Sequence, residues 1–596
     1  SPAHALVVTG PSLDLLGQHA LELAEAVQVG FAKHGSIEDI AGTLNTTRKF
    51  ERFRAVIVAA NRDEFVTQLQ ELSAHASNGV VPGILGPDLV LVDHEAQKKT
   101  PRLAWMFPGQ GAQRVGLLRG LYERSAQFKE TLDSLAQAVE SILPKPLLTY
   151  LYPELDGTKE SLEAAEDALK ATQVCQPTMA ALGLALGQFL ESLGIDAEIT
   201  LGHSLGEFVA AASGGILSES QTLQFVAKRG KLMAELELND FGAMAASMAG
   251  RSETEAVIAK IDGVEVANIN HPRQTVISGT TAAVERAVEE LKAAKIAAKL
   301  LRVSHAFHSP VVEGVTGDVD QLIEELEILG ADKVVVSAIT ANPYNAAQGE
   351  DSIQSVFSRH ATAPVDFVGC LETALEEGAN VFLEVGAGKT LTSFAKGTLS
   401  DRAHVVQLHH SKHDGERTLM RALGQLFSLG CDIQWEALYP SETNTLVTLP
   451  ETLLEKEPYW VVQEKVIALR PANVTEDDLA APAAESKATG EQAQLVELFR
   501  EQASILATHA EILAQQTAIL SGGTGEVDFA AARQNLNKVA VTPNQESIVE
   551  TEPVAKQAAP VTTELNEWAL DAVLKIVSEL VSDVSAFPAS ALKPTQ

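Results

Sequence analysis

The sequence is short of cysteine, of long apolar runs and of positive charge, and each shortage excludes a class of protein. Cys175, Cys370 and Cys431 are the only 3 cysteines among 596 residues. Being odd in number and far apart, they build no disulfide framework, fit a reducing cytoplasm and match no zinc-ligand spacing, so no metal is expected. No apolar stretch reaches the roughly 18 residues that a membrane-crossing helix needs, so no membrane span is expected. Lys and Arg total 45 against 79 Asp and Glu, a formal charge of −34. Such an acidic surface repels phosphate backbones, which argues against a nucleic-acid partner. The N-terminal SPAHALVVTGPSLDLL has neither a basic n-region followed by an apolar stretch nor an initiator Met. The chain therefore reads as excised from something longer.

What is present is ordinary for a soluble globular protein: 45% apolar and 21% charged residues. The length suggests about three or four domains or segments. Residues 1–100 read as a small α/β unit. ALVVTG (5–10) and RAVIVAA (54–60) have the pattern of buried strands, and LDLLGQHALELAEAVQ and RDEFVTQLQELSAH have helical apolar spacing. VDHEAQKKTPR then reads as a charged connector. From 101 to about 430, short apolar strands alternate with amphipathic helices, which predicts a parallel sheet covered by helices. Within it, 242–302 changes character: three strand-like stretches enclose two helices, the order of an inserted ferredoxin-like subdomain. Segments 471–490 and 521–561 are rich in Ala, Pro, Glu, Thr and Gln and read as flexible linkers. Between them, Leu498/Phe499, Ile505/Leu506, Ile512/Leu513 and Ile519/Leu520 repeat at heptad spacing within a helix over 495–520. That pattern suits either a helix docked on a neighbour or a self-associating coiled coil.

The chemistry concentrates in EITLGHSLGEFVAAASGG, residues 198–215. A strand runs into Gly202-His203-Ser204-Leu205-Gly206 and a helix follows, the strand–turn–helix context of a G-x-S-x-G nucleophile elbow. Glycine permits the tight turn, and the helix N-terminus sets free backbone N–H groups beside the hydroxyl. Serine is a weak nucleophile and needs a base. The best candidates among 15 histidines lie in VSHAFHSPVVEG, where spacing does not choose between His305 and His308. LAWMFPGQGAQ (103–113) is a strand ending in a Gly-rich loop that could supply a second oxyanion donor. A phosphate-loop reading fails there, and again at EVGAGKT (384–390), because the required glycine and lysine spacing is absent.

Taken in order, FPGQGAQ, GHSLGE, HAFHSP and FLEVGAGKTLT resemble the malonyl-CoA:carrier acyltransferase family of type I polyketide and polyunsaturated-fatty-acid synthases, over residues 103 to about 430. The resemblance implies an α/β-hydrolase-like parallel-sheet core with the ferredoxin-like insertion. It extends to the flanks: TTRKFERFRAVIVAANRDEFVTQLQEL resembles the ketosynthase-to-acyltransferase linker domain, and LYPSETNTLVTLPETLLEKEPYWV, within 431–465, the post-acyltransferase linker. Residues 466–561 would be the flexible linker, and 562–596 resemble the start of an acyl carrier domain, cut before the motif that carries phosphopantetheine.

Roles follow from the resemblance residue by residue. Ser204 matches the acylated nucleophile and His308 the general base. Gln110 and Leu205 match the oxyanion-hole donors. Arg229 matches the arginine that holds the malonyl carboxylate, and Gln176, His203 and Asn270 match residues lining the site. Leu205 and Phe307 resemble malonyl-selective members, since methylmalonyl-selective ones often carry Gln and YASH at those places. Phe307 would crowd a branched α-carbon, a preference of about 1–3 kcal/mol for one methyl group. The family orients its histidine with a backbone carbonyl, so no acid is named as a third member. Implied partners are an acyl carrier protein bearing phosphopantetheine, a coenzyme A thioester, an adjacent ketosynthase and, through the parent synthase, a second copy; no cofactor is bound. An acyl-thioester hydrolase would share the serine and histidine but gains nothing from Arg229. A pure docking scaffold has no need of Ser204 or His308.

Overall fold

The computed structural model describes residues 2–29, 35–96, 100–301, 303, 305–344, 352–386, 388–409, 415–440 and 444–455. The expected heptad helix over 495–520 and the carrier-like stretch 562–596 lie outside the described residues.

The N-terminal sheet is antiparallel, with strands β1 (His4–Gly10), β2 (Phe53–Ala59), β3 (Gly83–Gly86) and β4 (Leu89–Asp93) in the order β1-β2-β4-β3. The two predicted helices appear as Leu13–Gln28 and Arg62–Ser77, each capped by the residue before it: Ser12 Oγ accepts from Leu15 N–H, and Asn61 Oδ1 from Glu64 N–H. A third helix, Ile37–Thr47, was not predicted, although Ser36 and Asp39 form its capping box. The start of the expected connector is the end of β4 followed by a short 3₁₀ turn, His94–Ala96. The unpaired edge of β1, itself buried, is closed by a side chain: Val7 N–H donates to Asn45 Oδ1 (2.9 Å) and Asn45 Nδ2 donates to the Ala5 carbonyl (2.8 Å).

The central sheet is wholly parallel. Its strands are β5 (Leu103–Phe107), β6 (Ile199–Gly202), β11 (Val334–Val336), β13 (Val381–Glu384) and β14 (His404–Gln407), ordered β11-β6-β5-β13-β14. Because helices cover both faces, the strands carry continuous apolar runs instead of alternating ones. Along β5, Leu103, Trp105 and Phe107 enter one core, while Ala104 and Met106 enter the core on the other face.

The insertion is β7 (Ala243–Ser247), helix Arg251–Ile258, β8 (Val264–His271), β9 (Gln274–Gly279), helix Thr281–Ala293 and β10 (Ala298–Leu300). Its four strands run antiparallel in the order β10-β7-β9-β8, the ferredoxin-like arrangement. A two-residue strand, β12 (Val365–Asp366), joins it in parallel beside β8.

After the last parallel strand, helix Gly415–Ser428 returns to the N-terminal sheet. Gly424 lies so close to β2 that a Cβ there would meet Val56 Cγ1 at 3.0 Å, and Arg421 holds Asp88 through two hydrogen bonds. Residues 444–455 then run back along helix Ile37–Thr47. Thr445 N–H donates to Asp39 Oδ1, Val447 N–H to Thr43 Oγ1, and Arg48 Nη2 to the Leu449 and Pro450 carbonyls.

Candidate active site

The site forms at the C-terminal ends of β5 and β6, where open parallel sheets place their ligands. β6 ends at Gly202, the chain turns through His203 and Ser204, and helix Gly206–Ser213 starts with Leu205 as its N-cap. Ser204 has φ of 52°, in the left-handed region that non-glycine residues seldom adopt. The two elbow glycines are required by space. A Cβ on Gly202 would fall 2.0 Å from the Gly206 carbonyl carbon, and one on Gly206 would fall 2.0 Å from the Phe107 carbonyl oxygen. The β5 loop is equally close, since a Cβ on Gly109 would stand 2.7 Å from the His203 carbonyl oxygen. This brings the Pro108–Gln110 loop against the elbow, beside Leu205, whose N–H belongs to the first turn of the helix and has no acceptor within it.

The structure distinguishes the two candidate histidines. His308 Nε2 lies 2.8 Å from Ser204 Oγ, and its Nδ1 lies 3.0 Å from the Ala363 carbonyl. A carbonyl only accepts, so Nδ1 carries the proton and Nε2 is free to accept from the serine hydroxyl. His308 also has positive φ, 57°, and its own N–H is held by the Ala361 carbonyl at 2.8 Å. Burial, followed by the neighbouring His360 and His203, holds its pKa well below the ordinary imidazole value, while the Ala363 carbonyl acts in the opposite direction. His305 instead stands between the rings of Phe241 and Phe307.

The remaining predicted residues fall into two groups. His203 Nε2 donates to Asn270 Oδ1 at 2.7 Å, which ties the elbow to β8 of the insertion; burial lowers the His203 pKa. Phe307 is half-buried against Met244, Ala246, Ala267 and Val276 of the same subdomain. On the opposite side, Gln176 is fully buried and serves as a prop: its Oε1 accepts from Arg229 Nη1 at 2.7 Å, and its Nε2 donates to Thr172 Oγ1 at 3.0 Å. Thr172 also bonds the Gln110 side chain at 3.2 Å. A hydrogen-bonded row thus runs from the β5 loop to Arg229.

Arg229, on helix Glu219–Glu235, is 4% exposed. Its guanidinium lies over the Phe208 ring, 5.3 Å from the centroid. Among the described residues no carboxylate pairs with it, and burial lowers its pKa to about 10. A buried cation held only by neutral acceptors keeps both its charge and some of its donors uncompensated.

The sequence reading missed Thr172, His360 and Glu207, and it expected a backbone carbonyl behind the base without saying that Ala363 supplies it. Glu207 carried a signal, an acid on an otherwise apolar helix just after the elbow; the others carried none. At EVGAGKT, Glu384 Oε2 accepts from Thr392 N–H and Oγ–H at 2.8 and 2.7 Å, so a carboxylate already occupies the helix N-terminus where a phosphate would sit.

The model of the acyl transferase domain matches residues 104–432, more than half of the chain. The chain is 30% identical over 474 residues to the polyketide synthase GfsA of Streptomyces halstedii, which covers 78% of this chain and 6% of that protein. It is 31% identical over 463 residues to the phenolphthiocerol synthesis polyketide synthase type I Pks15/1 of Mycobacterium marinum, covering 77% and 21%. The chain therefore spans less than a quarter of these relatives. The solved acyltransferase domain of the second module of the salinomycin polyketide synthase is 29% identical, with a TM-score of 0.58 over 71% of this chain and 94% of that one. The acyl transferase domain of ZmaA shares the fold at 22% identity, with a TM-score of 0.65 over 76% of this chain and 99% of that one. The nucleophile elbow and the histidine that meets it both fall inside the matched residues, and the chain belongs to the acyl transferase domain family.

Proposed function

We propose that this chain transfers a malonyl group from malonyl-CoA, by way of an ester on Ser204, to the phosphopantetheine thiol of an acyl carrier protein within a larger polyketide or fatty-acid synthase. The observation that carries this reading is Arg229, a buried guanidinium with no carboxylate partner among the described residues, in the same site as the Ser204–His308 pair. A planar guanidinium fork binds a carboxylate in two places at once, and malonyl is an acyl group with a free carboxylate.

In the first half-reaction, His308 Nε2 takes the proton from Ser204 Oγ as the oxygen attacks the thioester carbonyl. The Leu205 and Gln110 N–H groups receive the negative charge that develops on the carbonyl oxygen. The carbon–sulfur bond breaks, and the proton on Nε2 passes to the departing coenzyme A sulfur. In the second half-reaction the carrier thiol gives its proton to His308 and attacks the ester, and Ser204 Oγ leaves with that proton. On this reading 1–100 is the linker from a ketosynthase, 431–465 is the post-acyltransferase linker, and the protein works in the cytoplasm, as one half of a dimer through its parent synthase.

Intact-protein mass spectrometry after brief mixing with malonyl-CoA, methylmalonyl-CoA or acetyl-CoA tests the proposal. The expected result is selective malonyl addition that is absent in Ser204→Ala and discharged by a carrier protein. Labelling by acetyl-CoA as fast as by malonyl-CoA would overturn the malonyl assignment, and steady release of coenzyme A with no carrier loading would indicate a hydrolase.

A further inference from the structure

Behind Arg229 lies a buried row of polar groups that the transfer chemistry does not use. Arginine has only donors, so the contact between Arg229 Nη2 and His360 Nδ1 at 3.4 Å makes Nδ1 the acceptor and puts the imidazole proton on Nε2. His360 Nε2 faces Glu207 Oε2 at 3.2 Å, and both side chains are fully buried. Glu207 Oε1 in turn accepts from Ser337 Oγ at 2.7 Å and from the Tyr344 hydroxyl. The His360 ring is held by Phe208, whose centroid is 4.6 Å away, and Phe208 is also the ring beneath Arg229.

We infer that His360 is a positioning residue that aims Arg229 at a substrate carboxylate, serving as a neutral bridge between that buried cation and the buried Glu207. The inference rests on the carboxylate-clamp reading of Arg229 given above. Its physical content is a division of labour. A carboxylate placed directly on the guanidinium would balance the charge but occupy the fork that a substrate needs. An imidazole between them keeps the carboxylate within reach of the cation's field in a low-dielectric interior, where such fields extend further than in water. It occupies a single Nη2 proton. Gln176 occupies one on Nη1, so the guanidinium is fixed from two directions while its other donors remain for a ligand. His360 also stands next to the base, its ring centroid 5.8 Å from that of His308, so one buried side chain adjoins both the acyl clamp and the Ser204–His308 pair.

The test compares His360→Phe, which keeps a ring but loses both nitrogens, with His360→Asn, which restores an acceptor near Nδ1. Each is made in the native chain and in an Arg229→Ala background. Two readouts are taken: KM and kcat for malonyl-CoA, and the rate at which a neutral fluorophosphonate, which has no carboxylate to clamp, labels Ser204. The expected result is that H360F raises the malonyl KM about tenfold or more, the effect of losing roughly one buried hydrogen bond to a charge. Fluorophosphonate labelling should stay within about twofold of the native rate, H360N should recover most of the loss, and H360F should add nothing once Arg229 is Ala. An unchanged malonyl KM in H360F, loss of labelling in both His360 variants, or an undiminished H360F effect in the Arg229→Ala background would each overturn the inference. If the native chain itself takes acetyl-CoA as readily as malonyl-CoA, the clamp reading fails first and this inference falls with it. A failure confined to the His360 variants leaves the clamp reading standing.

Discussion

Ser204 and His308 share a backbone peculiarity: both are non-glycine residues in the left-handed region, at φ of 52° and 57°. Such strain, of order 1–3 kcal/mol per residue, persists only where the surroundings impose it. Here the elbow fixes one residue and the Ala361 and Ala363 carbonyls fix the other. The same enclosure sets the protonation state. In the proposed mechanism His308 acts as a base, which requires the neutral ring, and burial together with His360, His203 and Arg229 keeps its pKa well below 6.5. The acylation rate, followed by single-turnover labelling of Ser204 between about pH 5 and 8, should therefore run flat through 6.5 and fall only on the acid side of it. An inflection at or above 6.5 would contradict the enclosure described here. Ser204 was legible in the sequence through its glycines. The choice of His308 over His305 was not legible from spacing, because it depends on which of the two rings meets β6 and the Ala361–Ala363 segment in space.

At the scale of the element, the strand–elbow–helix unit depends on close contact between backbones. Gly202 and Gly206 each lie where an added Cβ would stand 2.0 Å from main-chain atoms, and main chain cannot rotate out of the way as a side chain can. Gly202→Ala should cost about 3 kcal/mol or more, beyond the usual range for overpacking by one methyl group, and remove acylation together with the fold. Thermal unfolding of that variant beside Gly83→Ala, a position where a Cβ meets no atom within 4 Å, gives the comparison. Little difference between the two would refute the steric account. Helices with clear caps and periodic apolar faces, such as Leu13–Gln28 and Arg62–Ser77, were legible at this scale. Helix Ile37–Thr47 was passed over although its capping box was present, because its apolar positions are few and it is held in place by β1 and by residues 444–455.

Over the whole molecule the buried histidines dictate how the fold responds to acid. His4, His19, His203, His308 and His360 all have lowered pKa values, first because of burial. A group whose folded pKa is depressed is neutral in the folded state and takes a proton on unfolding. Below 6.5 the unfolded chain binds more protons than the folded one, so stability falls as pH falls through that range and is fully present above it. For His4 and His19, each lowered to about 4, the loss approaches about 3 kcal/mol apiece by that pH. Urea midpoints measured from pH 8 downward should hold steady to about 6.5 and then decline. The lowered carboxylates, Asp39 and Glu64 among them, add their own losses only at lower pH, through the carboxylate range. A decline that begins only there would refute the histidine account.

Composition, periodicity and the GHSLGE motif sufficed to read an α/β core, a ferredoxin-like insertion and a strand–turn–helix elbow at Ser204, because each is a local pattern written in consecutive residues. Arg229 was singled out only by resemblance, since a lone arginine on a helix carries no local mark of the burial that the structure gives it. His308 too was singled out from His305 only by resemblance, and the structure sets its ring against Ser204; tertiary structure alone decided that Gln176 sits behind Arg229 as a prop and that His360 and Glu207 line up beyond it. Those contacts join residues more than fifty positions apart in the chain. Closing such distances is the work of the parallel sheet and its crossovers, and no local pattern records which side chains will meet when they close.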